Sequence, residues 1–549
     1  MIDEMIVDLI SSSIKKNWDL PALSDYRGYT VKYNELAEKI LFFHYLFNKY
    51  NIKKGDKIAV IGKNSVNWAI TYLSSLTYGA VIVPILPDFK ADDVHHIVNH
   101  SDSVLLFSSE ANYSELDIEC MNDLEAVFSL TDFNPYFSRK KSLDLSIEKD
   151  RQKFLSKYDN NLNSENFNLE PVKNNKLASI VYTSGTTGFS KGVMLPHLSL
   201  SVNIVFAQNN MPLNAGDSIV SFLPIAHVFG CVFEFLFPIT MGCHITFLSK
   251  IPSPKVILKA FQEIHPRLIL SVPLVIEKIY KKQIKPTLDK PLIKLISMIP
   301  FIENRIGKKI NIKLTEVFGG KFHEIVIGGA ALNKEVELFL RKIKFRYTVG
   351  YGMTECGPLI SYSNWDKFKL ASTGKIVNSL EIKIDSKDPY NEVGEIMVKG
   401  DNVMTGYYKN KEATDTALEN GWLRTGDLGV IDKDNAIFIR GRSKSMILGP
   451  SGKNIYPEEI EAKLNNLELV QESIIVLKEG RIIALVYPDH ESADRLRINN
   501  ENLKKIMDRN RKELNRLLPG YMTVSEIQIV SQEFEKTPKK SIKRFLYNF

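Results

Sequence analysis

The sequence predicts an α/β protein: a large N-terminal domain of layered parallel α/β sheets with a small β-rich module, then a small α+β C-terminal domain. Three features carry this reading. The apolar runs "KIAVIGK" (57–63) and "GAVIVPI" (79–85) flank the helical stretch "SVNWAITYLSSLTY" (65–78). Strand, helix and strand with short connections form a βαβ unit, which implies parallel strands. The same alternation returns over residues 177–330, and beyond 371 the elements shorten and the pattern changes.

Taken in order, "VLLFSS" (104–109) continues the first sheet. Residues 131–175 are rich in Asn, Lys, Asp and Ser, and read as a surface excursion between two sheet units. "LASIVY" (177–182), "HITFL" (244–248), "RLILSVP" (267–273) and "EIVIGGA" (324–330) are the next strands. Residues 371–440 hold short β segments with turns, such as "EIKIDS" and "GEIMVKG". From about residue 444 the chain reads as α+β: a helix "PEEIEAKLNNL", a strand "ESIIVLKEGRIIALVY" and a helix "NENLKKIMDRNRKELNRLL". The expected domains are 1–443 and 444–549.

The 549 residues suffice for about two to four packed units. Hydrophobic residues make up 44% and charged residues 25%, the balance of a globular chain. A net charge of +7 spread over this length favours anionic ligands slightly and is not the footprint of a nucleic-acid binder. Cys120, Cys231, Cys243 and Cys356 form no C-x-x-C pair, which argues against a zinc site and fits a reducing cytosol. "MIDEMIVDLI" places acids where a signal peptide needs a basic region. No apolar run reaches the ~18 residues of a membrane span. A cytoplasmic protein is expected.

The strand "LASIVY" runs into "YTSGTTGFSKG" (182–192). Glycines let backbone N–H groups turn toward an anion, hydroxyls donate to phosphate oxygens, and a lysine adds charge. Thr183, Ser184, Gly185, Thr186, Thr187, Gly188 and Lys191 therefore read as a phosphate cradle, against the plain alternative of a polar turn. Gly192 after Lys191 excludes a Walker A loop.

At these residues the chain resembles the adenylate-forming (AMP-binding) superfamily of acyl-CoA synthetases, luciferases and peptide-synthetase adenylation domains. The resemblance continues in order through "LPIAHVFG" (223–230), "GGAAL" (328–332), "VGYGMTECGP" (349–358), "GYYKN" (406–410), "WLRTGDLG" (422–429), "RGRSKSMI" (440–447) and "NIYPEEIE" (454–461). It implies ATP, Mg²⁺ and CoA as cosubstrates and cofactor. A carboxylate attacks the α-phosphorus of ATP to give an acyl-adenylate and pyrophosphate, and a thiol then displaces AMP. The resemblance makes Thr354 a phosphate contact, Glu355 a Mg²⁺ ligand together with Thr183, and Tyr351 the ring stacked on adenine. Asp427 would accept from the ribose hydroxyls and Arg442 would reach ribose or phosphate. His227 would wall the carboxylate pocket, and Gly329 with Gly328 would leave room for nucleotide and acyl group. Lys444 would be the hinge on which a mobile C-terminal domain swings. For single residues the plain alternatives are a surface ion pair for Asp427 and Arg442, and a satisfied core histidine for His227.

Segments 272–280 and 291–330 resemble the long-chain fatty acyl-CoA synthetase branch, although Gly230-Cys231 replaces the Glu-Arg of many long-chain relatives and Leu274 replaces a frequent Arg. A small-molecule carboxylic acid is the implied substrate. No clear acidic residue suggests an amino-acid substrate of the peptide-synthetase type. Residues 275–313 hold ten Lys/Arg and three Asp/Glu among apolar residues. This is either a peripheral contact with the inner face of an anionic membrane or a solvated helical hairpin. The chain stops at Phe549, so CoA or a separate acyl carrier protein is the expected acceptor.

"EFEKTPKKSIKRFLY" (533–547) resembles the catalytic loop of the family's C-terminal domain, Pro-Lys-Thr, three residues, then the working lysine. With Lys536-Thr537 and Ile542-Lys543-Arg544 as anchors, that seat falls on Ser541, and Lys540 precedes it. Three readings follow: Lys540 serves as the catalytic lysine, adenylation is slowed, or the protein is a paralogue that binds acyl groups or AMP without turnover.

Overall fold

The βαβ unit forms as expected. Lys57–Ile61 and Val81–Ile85 lie parallel, with Ile58 beside Ile82 and Val60 beside Pro84, and helix Val66–Tyr78 crosses between them. Ser65 caps this helix by accepting from Trp68 N, and Gly79, at φ 89°, ends it. The helix is buried almost all round, yet carries hydroxyls. Thr71, Ser75 and Thr77 bond the carbonyls of Asn67, Thr71 and Leu73 one turn back, which removes the cost of burying them. The structure is a computed structural model describing residues 4–139, 147–157, 161–183, 191–249, 253–288, 300–448, 454–537 and 542–547.

An eight-stranded sheet is ordered Gly406–Tyr407, Lys191–Pro196, Leu177–Thr183, Val81–Ile85, Lys57–Ile61, Ser103–Ser108, Ala126–Ser129 and Pro135–Ser138. Its five middle strands are parallel and its two ends antiparallel. A second sheet holds Ser218–Ser221, His244–Phe247, Pro21–Asp25 and Thr30–Lys32. A third, all parallel, holds Leu268–Ser271, Glu324–Ile327 and Tyr347–Val349. Among the described residues, no helix is long and apolar enough to cross a membrane.

Residues 131–175 are more than the expected surface excursion. Pro135–Ser138 closes the edge of the large sheet against Ala126–Ser129, and Tyr136 stacks on Tyr113 at 4.5 Å. Helix Ile147–Ser156 buries Phe154, whose ring lies 5.6 Å from Phe42. A few aromatic anchors outweigh the polar composition of the segment.

The short strands after 371 form an antiparallel sheet of Leu380–Asp385, Gly394–Gly400, Trp422–Ile431, Leu418–Glu419 and Ile437–Arg442. After residue 454, helices Pro457–Leu464 and Asn500–Leu517 pack with strands Val470–Lys478, Arg481–Pro488 and Val524–Ile529 around a core that includes Ile460, Leu464, Val486 and Leu514. Residues 472–487 are not the single strand expected. Glu479 and Gly480, at φ 50° and 73°, fold them into a hairpin. Positive φ at two central residues is the type I′ turn that suits twisted strands.

Candidate active site

The third sheet sets up the site. Its strands end together, at Ser271, Ile327 and Val349, and the chain turns at Gly328-Gly329 and Gly350. Gly328 N donates to Ser271 O at 3.0 Å and Gly350 N to Ile327 O at 2.9 Å. Gly329 has φ 86°, and a side chain there would be strained although little stands near it.

Tyr351 follows this turn. Its ring is buried, and its phenol donates to Asp427 Oδ2 at 2.7 Å. Arg442 Nε binds the other oxygen, Oδ1, at 3.0 Å. Asp427 sits on strand Trp422–Ile431 directly opposite Arg442 on Ile437–Arg442, so sheet register makes the pair. The Asp427 side chain is 6% exposed and that of Arg442 68%. Burial raises the pKa of Asp427, while Arg442 and Tyr351 pull it down. The result is a buried carboxylate with an exposed cation beside it.

A second group forms around Glu355. Thr354, which is buried, and Glu355 lie on the single turn Thr354–Cys356. Glu355 accepts from the phenol of Tyr407 at 2.9 Å, and Lys191 Nζ stands 5.0 Å from the centre of the Tyr407 ring. Lys191 is the residue opposite Thr183 across the strand pair. Tyr407 joins through its own strand, paired with Val193. Ser184, Gly185, Thr186, Thr187, Gly188 and Lys540 lie outside the described residues, so their place in the site rests on the sequence.

Buried polar side chains fix the turn that carries Thr354 and Glu355. Asn203 donates to Cys356 O at 3.2 Å and accepts from Leu359 N at 3.0 Å. Asn402 donates to Leu359 O at 3.0 Å, and Ser199 donates to Asn402 O at 2.6 Å. Met404 N donates to Glu355 O at 2.8 Å.

His227 is half-buried, and its carbonyl accepts from Cys231 N at 2.8 Å. The loop before it is anchored by Glu234, which accepts from Ser221 Oγ, Phe222 N and Leu223 N at 3.0–3.1 Å. Asn64 adds bonds to Leu223 O and from Ile225 N. Complete burial raises the Glu234 pKa well above the usual carboxylate range. The departures at 230 and 231 have a local cause. A Cβ on Gly230 would stand 2.8 Å from Pro224 O, and Cys231 is buried beside Tyr72, its thiol pushed up to about 12 by burial.

Gly328 does not open onto empty space as its sequence suggests. A Cβ there would meet the Phe229 ring at 2.9 Å, so the glycine is needed for the ring to lie where it does. Gly350 has only ordinary contacts at 3.5 Å and beyond. Tyr407, Phe229, Asn203, Asn402 and Glu234 were not singled out from the sequence. Tyr407 and Phe229 lie inside quoted motifs, which was their one signal.

Layered parallel sheets, with Tyr351, Thr354 and Glu355 on the chain that follows the third sheet and Asp427 bonded to Tyr351, are the architecture of an adenylate-forming protein. Residues 11–408 match the AMP-binding enzyme family, and the chain belongs to it. It is 28% identical over 456 residues to the long-chain-fatty-acid–CoA ligase FadD15 of Mycobacterium bovis, covering 77% of this chain and 71% of that protein. It is 27% identical over 584 residues to the chloroplastic long-chain-fatty-acid–[acyl-carrier-protein] ligase AEE15 of Arabidopsis thaliana, covering 91% and 79%. The fold matches the crystal structure of ATP-bound MatB from Rhodopseudomonas palustris with a TM-score of 0.76, 21% identity and 98% of both chains covered.

Proposed function

We propose that the chain is an ATP-dependent acid–thiol ligase that activates a long-chain fatty acid as its acyl-adenylate and passes it to CoA. The observation that carries this reading is the union of Tyr351, Asp427 and Arg442, three residues from three separate motifs, around one buried carboxylate. Asp427 would accept from the ribose hydroxyls with Arg442 beside it. Thr354, Lys191 and the loop 183–188 would hold phosphate oxygens, and Gly329 gives the acyl and nucleotide groups passage. Glu355 and Thr183 supply the hard oxygen donors that Mg²⁺ prefers. Among the described residues no cage of three metal-ligating side chains forms, and Mg²⁺ needs none when phosphates supply the rest. When bound, the ion neutralises charge on the phosphate oxygens.

Long-chain specificity is supported by the names of the relatives, of which the Arabidopsis protein favours a carrier-protein acceptor as the second reading. The testing experiment is pyrophosphate release over a panel of carboxylic acids of increasing length, with CoA or a purified acyl carrier protein as acceptor. Release that peaks on short or aromatic acids would sink the long-chain reading, and product formed only on the carrier protein would replace CoA.

Two further parts of the proposal concern the chain's organisation. Residues 444–549 act as a separate module, supported by the core drawn from residues 455–524. The basic stretch 275–313, of which residues 289–299 lie outside the described residues, contacts an anionic membrane surface, supported by exposed Lys308, Lys309 and Lys313 around Ile312, which is 50% exposed, on helix Pro300–Val317.

A further inference from the structure

The opposite end of the third sheet carries a different chemistry. Arg267 precedes Leu268–Ser271, Lys321 and His323 precede Glu324–Ile327, and Arg346 precedes Tyr347–Val349. Sheet hydrogen bonds lock these residues together: His323 N donates to Arg267 O at 2.7 Å, and Ile325 N to Arg346 O at 3.0 Å. Arg267, Lys321 and Arg346, with His265, Gly320 and Asp217, line an open cleft of about 530 Å³. Because the strands are parallel, this cleft and the turns bearing Gly329 and Tyr351 lie at opposite strand ends, roughly 10 Å or more apart.

The cations of this cleft are not spent on the protein's own acids. Arg267 donates to a backbone carbonyl, Lys321 O, at 3.3 Å, and the Arg346 guanidinium lies 4.7 Å from the Phe322 ring centre. Among the described residues no ion pair engages Arg267, Lys321 or Arg346. The one carboxylate in the lining, Asp217, accepts from Asn214 N at 2.8 Å, and Asp366 stands beyond, acting on His323. Arg424 and Arg27, by contrast, meet acids: Arg424 pairs with Glu395, Glu419 and Asp385, and Arg27 with Glu263. Arg267 and Arg346 instead share the wall of one cleft. Burial and the charge of Arg267 lower the Arg346 pKa, and burial and both arginines lower that of His323. Holding like charges together in a partly desolvated concavity is unfavourable unless an anion joins them.

We propose that this cleft binds a phosphate-bearing polyanion, at a site separate from the nucleotide site. Guanidinium forks match the spacing of phosphate oxygens, and the Lys321 ammonium adds a mobile third charge at the rim. Convergence from three adjacent strands into one cleft suits a compact, multiply charged group. That group is either a soluble phosphate ester or the headgroup of an anionic phospholipid.

The test is calorimetric titration of the full chain with inositol hexakisphosphate, alongside flotation with phosphatidylcholine vesicles with and without phosphatidylglycerol. The unaltered chain is compared with R267Q/R346Q and with K321Q, whose side chain is exposed and whose folding is not at risk. A saturable isotherm is expected, weakened about tenfold or more in R267Q/R346Q and about threefold in K321Q, with ATP-dependent pyrophosphate release unchanged. Loss of the calorimetric signal alone assigns a soluble phosphate ester. Loss of phosphatidylglycerol-dependent flotation, with or without it, assigns a lipid headgroup. If R267Q/R346Q does not fold, K321Q decides. The same affinities in the variants as in the unaltered chain, or no binding of either probe by the unaltered chain, overturns the proposal.

Discussion

Tyr351 and Asp427, 76 residues apart in sequence, meet through one hydrogen bond of 2.7 Å inside the protein, and Arg442 completes the pair from the outside. Asp427→Asn keeps the shape but removes the charge that Arg442 faces. Charge-assisted hydrogen bonds contribute about 1.5–3 kcal/mol, so kcat/KM for ATP should fall about 10- to 100-fold. Tyr351→Phe, which removes only the phenol, should cost less. Steady-state pyrophosphate release against ATP concentration checks both, and an unchanged ATP dependence in Asp427→Asn would remove this residue from the nucleotide site.

Glu355 is held by the Tyr407 phenol at 2.9 Å. Glu355→Gln should lower adenylation about 100-fold and raise the Mg²⁺ concentration needed for half-maximal rate, because the carboxylate proposed to hold the ion is lost. Tyr407→Phe should leave the Mg²⁺ requirement close to normal and reduce the rate only a few-fold. Magnesium titrations of both variants separate ligand from support.

Lys540 and Ser541 are the two candidates for the catalytic seat that the family resemblance puts in the loop 533–547. Carboxylate-dependent ATP–pyrophosphate exchange should drop roughly 10²–10³-fold in Lys540→Ala if Lys540 supplies the charge. Exchange that survives intact in Lys540→Ala removes it from catalysis, and a large gain in Ser541→Lys identifies a slowed enzyme. No exchange in any variant, together with binding of acyl-AMP analogues, favours a non-catalytic binder.

Phe229 fills the space beside Gly328. Phe229→Ala should shift the acid preference toward longer or bulkier chains, with KM changing more than kcat. Gly328→Ala should depress activity on every acid by forcing the ring aside. Profiles of pyrophosphate release against chain length read both outcomes, and an unaltered profile in Phe229→Ala places the ring outside the acyl path.

Glu324 begins the middle strand of the third sheet, where its carboxylate accepts from the Tyr362 phenol and from Trp365 N. Burial pushes its pKa up to about 7, from 4.5. The folded state then holds this proton more tightly than the unfolded chain, so the group's stabilising contribution is full below pH 4.5. It is lost as pH rises through 7, a change of roughly 3 kcal/mol at most. Denaturant unfolding at successive pH values should therefore show a shallower decline between pH 5 and 8 in Glu324→Gln than in the unaltered chain. Equal slopes would mean that Glu324 does not titrate in this range.

The sequence disclosed the parts that depend on local pattern. The parallel strands announced themselves as apolar runs, and the motif positions 351, 354, 355, 427 and 442 meet in two polar groups joined through one stretch of chain. What it hid depends on distance in sequence. Asn203 supports a turn some 153 residues away, and Tyr407 reaches Glu355 from 52 residues downstream. Glu234 is one acid within an apolar stretch, and only the folded chain shows it holding the loop before His227. The hairpin at Glu479-Gly480 was missed because apolar residues on both sides ran together across a two-residue turn. The edge strand 135–138 was missed because two tyrosine rings, not the composition of the segment, secure it.

Asn465 and Asn466, which follow helix Pro457–Leu464, are gripped from the other part of the chain. Lys281 Nζ donates to Asn465 O at 2.7 Å, and Asn333 Nδ2 donates to Asn466 Oδ1. Asn333 also caps helix Lys334–Lys342 and bonds Glu277, so its position is set by the larger body. Both grips fall on one corner of the C-terminal part. A swing of residues 444–549 about Lys444, the motion the family resemblance implies, would have to part both, which would make this corner a clasp with two hooks.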